Sequence, residues 1–345
     1  MNAQLAPQLW DEHSTDCLAS EEKRMASHPS IEEDGSSAAG DEKSIVVLAT
    51  SELTPLSEVS PSTLDGIIQT LAGKSDWLQL HEAILLLRRV VVHHRELVKT
   101  QHVDVFLRPL ALESDSLRST PAKNALLACA ECFEFLPRSV LERSLLTGNR
   151  PEILDVLLRR SVCEKKFLRD AAAFAVQKLA NHLAGLPLLL AVAKYGSNKN
   201  AKLCGIAAWA ISLSLQRLQQ QQLEAGTDIR QSLTHKGGES LRVVYRALAV
   251  FRESKDASAR AEATTSFQRL GELLGREALE SGLKDALSGA GQTGVVARIL
   301  KDAFVMAKSG KPRLVRTGSL RERMVKDATV GAGGQRTEAI VRVGN

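Results

Sequence analysis

Cys129 and Cys132 are separated by two residues, the spacing of one half of a thiolate metal site. A tetrahedral zinc centre takes four ligands, so this CxxC needs a second Cys or His pair at suitable spacing. His93 and His94 do not serve, because side chains of adjacent helical residues point to different sides. Both cysteines fall in an apolar-periodic stretch, and small buried thiols on a packed helix are the expectation, with no metal site. A second pattern, Gly289-Ala290-Gly291-Gln292-Thr293-Gly294, spells GxGxxG. A dinucleotide site needs a strand before that loop, a helix after it and an acid about 20 residues further on. What precedes it is the helical ESGLKDAL, so a break between helices is expected, with no cofactor. No Ser-His-Asp set, paired-carboxylate motif, HExxH or P-loop occurs, and no enzyme is expected.

The residues with the widest reach are suited to binding. They are Lys74, Asp76 and Trp77; Ser116, Leu117 and Arg118; Lys165 and Lys166; Lys199 and Lys202; Lys255 and Arg260. A tryptophan at the first group and bases at nearly every later one would make a positive strip with an aromatic anchor, suited to an acidic protein surface. The plainer account is that loops are polar and a Trp covers a helix end. For the strip to exist, residues far apart in sequence must be carried to one edge.

The elements that would do so begin at Lys74–Leu136. Leu80, Ala83, Ile84, Leu87, Val91 and Val98 recur at helical spacing, with Trp77 placed in the loop just ahead. Leu126, Cys129, Phe133 and Leu136 mark a second helix, expected to start at a Ser119 or Thr120 cap with Pro121 in its first turn. An earlier helix is expected from Ser62 to Leu71, capped by Ser62 or Thr63 and closed by Gly73. Val103–Leu112 reads as a short helix interrupted by Pro109. Further helical pairs follow around loops near 165, 199 and 256, with the glutamine-rich QQQQLEAGTD as an interruption, and a weaker sixth pair ends near 307. The loop intervals, about 34 to 57 residues, straddle the roughly 40 to 47 of HEAT or armadillo repeats. Each hairpin buries one face only, so neighbours must stack. The fold expected is an all-α solenoid of five to six such hairpins.

Composition agrees: aromatics are 4% of 345 residues, and no apolar run approaches the roughly 20 residues of a membrane-spanning helix. The start, MNAQLAPQLWDEH, lacks a basic apolar leader, and the odd count of five cysteines suits a reducing compartment. Residues 1–60 carry 12 acids against 3 bases and read as a disordered acidic leader, in which the apolar SIVVLA at Ser44–Ala49 is taken as a sticky patch rather than a segment laid in a groove. Residues 308–345 carry 9 bases against 3 acids and read as a basic disordered tail. The overall +5 leaves +8 on the body, 61–307, which suggests leader-to-body attraction and a negatively charged partner. In the tail, Arg316, Arg321, Arg323 and Lys326 surround Ser319. They either solubilise it or dock on a negatively charged partner (an acidic protein tail, nucleic acid or anionic lipid), which phosphorylation of Ser319 would oppose.

Over residues 61 to 307 the chain resembles TOG domains, particularly those of the CLASP and crescerin kind. The resemblance is carried by DWLQLHEAILLLRRV at Asp76–Val90, LRSTPAKNAL at Leu117–Leu126, KKFLRDAAAFAVQKL at Lys165–Leu179, NKNAKLCGIAAWAISL at Asn198–Leu213 and DASARAEATTSF at Asp256–Phe267. It implies a HEAT-repeat paddle whose intra-repeat loops bind αβ-tubulin or microtubules without catalysis, in the cytoplasm and cytoskeleton or the cilium. Trp77, Arg118, Lys166, Lys199, Lys202, and Lys255 or Arg260 would then be the tubulin-facing residues. The basic tail would meet acidic tubulin tails; nucleic acid is not the expected partner. The family often has an Arg three places after the Trp, where this chain has Leu80. The other reading that stands is an armadillo-like adaptor that grips a peptide on its concave helical face.

Overall fold

Ser60 and Pro61 start the first hairpin. The Ser60 hydroxyl accepts from the Thr63 amide while Pro61, which has no amide to leave unpaired, occupies the first helical position. The helix they open, α1 (Pro61–Ala72), is thus capped two or three residues before the expected Ser62 or Thr63, and Gly73 closes it through a bond to the Gln69 carbonyl. Helix α2 (Trp77–His93) runs back along it and ends before Val98, which is buried beyond a 3-10 turn. The computed structural model describes residues 46–304 apart from 74–75, 148–151, 227, 235–238 and 290–292. Lys74, the tail with Ser319, most of the leader and the centre of the GxGxxG segment therefore lie outside the described residues.

The same unit recurs as α3 (Thr100–Ser114) with α4 (Ser119–Phe135), and, after the short α5 (Arg138–Glu142) and a π-helical turn, as α6 (Glu152–Arg160) with α7 (Lys166–His182). Then come α8 (Leu186–Ala193) with α9 (Ala201–Ala225), the short α10 (Ile229–Thr234), α11 (Glu239–Arg252) with α12 (Ala257–Leu274), and α13 (Arg276–Ala286) with α14 (Thr293–Ala303). Among the described residues these are fourteen α-helices with no strand, and no helix is long and apolar enough to cross a membrane. Second helices stack in sequence, α2 on α4, α4 on α7, α7 on α9, α9 on α12 and α12 on α14. First helices form the other layer, α1 on α3, α3 on α6, α8 on α11 and α11 on α13. The architecture is an all-α solenoid of six hairpins.

Stacking explains the burial. Helix α4, flanked by α2, α3 and α7, buries Asn124 and Glu131 as well as its apolar residues, and one continuous core runs from Leu64 to Leu300. Helix α3 continues through Pro109 instead of breaking there. Val105, whose carbonyl loses its helical donor, stands 47% exposed, where water can serve it. Helix α9 likewise runs through the glutamine tract, glutamine being a good helix former, and stops at Gly226 with φ 60°.

One segment departs from the expected acidic leader. Residues 46–56 are seated on α2 and α4 rather than apart from the solenoid. Arg88 donates to the Leu48 carbonyl (2.9 Å), Arg89 to the carbonyls of Thr54 (2.7 Å) and Pro55 (3.0 Å), and the Thr50 hydroxyl to Glu131 Oε1 (2.8 Å). His93 Nε2 lies 2.7 Å from the Leu53 carbonyl, and Leu53 itself is buried. The part of SIVVLA within the described residues thus belongs to a strap laid across two helices. Carbonyl-to-guanidinium bonds hold it, and those leave no mark in hydropathy.

Candidate functional site

In each of the first five hairpins the first helix delivers the chain to a turn and the second carries it away, and contacts join the first turn to the second, the second to the third and the fourth to the fifth. At the first turn, Asp76 Oδ1 accepts from the amides of Leu78 (2.8 Å) and Gln79 (3.0 Å), capping α2. Trp77 is therefore the first residue of the helix, not a loop residue, and its orientation is set by that cap. It is 39% exposed, and the Arg118 guanidinium carbon lies 5.0 Å from its ring centroid. That geometry is a cation-π contact between the first and second turns.

The second turn is tied to the third. Arg118, not Ser119 or Thr120, occupies the cap position of α4, and no side chain caps that end. The Ser119 hydroxyl is engaged elsewhere: it accepts from Lys165 Nζ at 2.8 Å. Arg160 donates to the Ser116 carbonyl (2.7 Å) and Arg159 pairs with Asp115 (3.1 Å), fixing the loop from below. Leu117, between these anchors, is 96% exposed. Lys166 is exposed and pairs with Asp170 one turn on.

The fourth and fifth turns form a second group. Asn200 caps α9 by accepting from the amides of Lys202 (3.1 Å) and Leu203 (3.3 Å), leaving Lys199 and Lys202 exposed at the edge. Lys199 and Lys255 line one cavity of about 840 Å³ with an apolar floor that includes Val250 and Phe251. Arg260, although exposed, donates to the carbonyls of Ser254 (2.7 Å) and Lys255 (3.0 Å), so its guanidinium braces the turn that presents Lys255. The two groups are joined through Tyr195, whose hydroxyl donates to Asp155 Oδ1 (3.1 Å), while Asp155 also pairs with Arg159. Burial, then the adjacent Asp155 carboxylate, push the Tyr195 phenol upward, which keeps it a donor.

Two exposed apolar residues at this edge escape a reading by residue type. Leu78 (40%) follows Trp77, and Phe167 (45%) follows Lys166. A helical wheel finds Phe167: Leu168, Ala171, Ala172, Ala175, Val176 and Leu179 are the buried face of α7, and Phe167 lies off it with Phe174 one heptad on. Leu80, where a basic residue stands in many TOG domains, is half-buried and packs on the core. Cys129 and Cys132 are wholly buried; burial pushes the Cys129 thiol up to about 12 and the Cys132 thiol also up, so neither is a ready thiolate ligand. Among the described residues no His, Cys, Asp and Glu group could hold a metal ion. Around the GxGxxG segment, α13 precedes and α14 follows, and among the described residues no strand leads into it as a dinucleotide site requires.

The sequence matches no protein-family model and no curated protein. Among solved structures, the chain is similar to the designed armadillo repeat protein YIII(Dq.V1)4CPAF in complex with peptide (KR)4, with 16% identity over 70% of this chain and 97% of that one, at a TM-score of 0.34. It is similar to the designed armadillo repeat protein YIII(Dq)4CqI at 17% identity over 70% and 98%, with a TM-score of 0.33. The superpositions are loose, and the fold assignment rests on this chain's own helix packing.

Proposed function

We propose that the chain is a non-enzymatic, TOG-like binding module that docks its turn-bearing edge on tubulin, free or in the microtubule. The observation that carries this reading is the Trp77–Arg118 contact, with Leu117 standing 96% exposed beside Arg118. An aromatic residue already oriented by a capped helix, flanked by an apolar tip and by cations, loses little side-chain entropy on binding and can act as an anchor. Lys166, Lys199, Lys202 and Lys255 extend the same edge with positive charge, which favours an acidic partner and speeds encounter. Arg260 contributes by bracing its turn. The decisive experiment is microtubule co-sedimentation, with a parallel free-tubulin pull-down, for the wild type, Trp77→Ala and Lys199→Ala. Truncating the anchor is expected to weaken binding by about 2 kcal/mol, and equal binding by all three proteins would remove this edge from the account.

The reading as a peptide-binding adaptor is favoured by one feature, the extended strap already seated on α2 and α4. At the first two hairpins that face is taken up by the chain's own residues 46–56, which makes the turn-bearing edge the more open surface there.

A further inference from the structure

We propose that Thr54 is a site of proline-directed phosphorylation, and that Arg89 receives the phosphate and locks the strap onto α2. The chain contains three Ser/Thr-Pro steps: Thr54-Pro55, Ser60-Pro61 and Thr120-Pro121. Ser60 is engaged as the cap of α1, and Thr120 lies within the first turn of α4, half-buried. Thr54 alone stands in exposed, non-helical chain, and Pro55 disfavours helical backbone at the residue before it. That is the form in which a kinase cleft takes its substrate.

The receiver is preorganised. Arg89 Nε donates to the Thr54 carbonyl (2.7 Å), and Nη2 lies 3.0 Å from the Pro55 carbonyl and 3.1 Å from the Thr54 hydroxyl. In the transfer, Thr54 Oγ1 attacks the γ-phosphorus of magnesium-bound ATP held by the kinase. The new O–P bond forms as the bond to the bridging oxygen breaks, ADP departs, and the hydroxyl proton passes to the kinase's catalytic carboxylate. The product sets a group of charge about −1.5 to −2, with three acceptor oxygens, against a guanidinium already within hydrogen-bond range. Thr50, four residues back, has different surroundings: its hydroxyl donates to Glu131 Oε1, an oxygen already paired with Arg88, and no proline follows it.

The test uses the full chain, a purified proline-directed Ser/Thr kinase and MgATP, with the modified residue mapped by mass spectrometry and the strap followed by hydrogen exchange. The Glu52 and Leu53 amides, bonded to the Ala49 and Thr50 carbonyls, report its seating. Modification is expected at Thr54, with exchange at those amides slowed by about tenfold, the scale of one added charge-assisted hydrogen bond. Arg89→Gln should be modified to the same extent and show no slowing; Thr54→Ala should show neither. Three results would overturn the proposal: no modification at Thr54 in the full chain, modification with strap exchange unchanged or faster, or slowing that persists in Arg89→Gln.

Discussion

Arg88 of α2 and Glu131 of α4 form a two-pronged ion pair, Nε to Oε2 and Nη2 to Oε1 both at 2.8 Å, with side chains 0% and 1% exposed. The remaining polar capacity is met as well: Nη1 donates to Asn124 Oδ1 (2.9 Å), Nη2 to the Leu48 carbonyl, and Asn124 Nδ2 to the His81 carbonyl (3.0 Å). The network ties together both hairpins and the strap. Arg88→Met strands the Glu131 carboxylate and is expected to cost about 3–5 kcal/mol in urea unfolding. Arg88→Met with Glu131→Leu should recover much of that loss, because it is the unpaired buried charge that is expensive. A double variant as damaged as the single one would show that the charge is not what sets the cost.

Trp77 and Arg118 should behave differently, since their contact is partly open to water. Replacing either by Ala is expected to shift thermal stability by no more than about 1 kcal/mol. Partner affinity should fall in both, and the double variant should fall by less than the sum, because each residue presents the other. Strict additivity in a double-mutant cycle would mean the two act independently.

Acid should loosen the fold through two histidines. Burial holds the His81 imidazole below its ordinary 6.5, Glu82 opposing and Arg88 reinforcing the shift. Burial also lowers His182, against a hydrogen bond to Leu136 and with the help of Arg138. The unfolded chain therefore binds more protons than the folded one once the pH falls below about 6.5. Their contribution to stability is complete above that value, declines as pH drops through it and levels off only below the folded-state values. Melting temperature measured between about pH 7.5 and 5 should fall with acid, and His182→Gln should flatten the slope. A slope of the opposite sign would contradict the assignment.

Gly196 allows the fourth turn to approach α11. A Cβ built there lies 3.0 Å from both the Cα and the Cβ of Ala247, and backbone cannot yield as a flexible side chain does. Gly196→Ala should destabilise by about 1–3 kcal/mol, and by displacing the turn that carries Lys199 it should also weaken partner binding. Wild-type stability in this variant, read by thermal unfolding, would show that the turn relaxes freely.

Most of the scaffold was legible because hydrophobic spacing reports burial directly: Ala83, Ile84, Leu87 and Val91, read as one helical face, are all buried on α2. Loops placed near 76, 117, 165, 199 and 256 coincide with turns within hairpins. Starts of helices were less legible. Ser119 had the chemistry of a cap, yet its hydroxyl went to Lys165, a residue 46 positions away. Arg260 carried the right charge, but only coordinates reveal that its donors are spent on its own turn. Phe167 and Leu78 were hidden because they sit beside Lys166 and Trp77, whose charge and aromatic ring dominate the local pattern. The strap was the least legible of all, having neither helical nor strand periodicity.

The strap's attachment has an evolutionary consequence. Four of its carbonyl oxygens face Arg88, Arg89 and His93, and every residue type supplies that oxygen equally well. Beyond Thr50, Leu53, the Thr54-Pro55 step and the partly covered Leu56, selection has little to grip in the segment itself. Descendants of this chain should keep the two arginines while the other positions between residues 46 and 56 drift, so orthologues that share the docked segment would be recognised by what α2 retains.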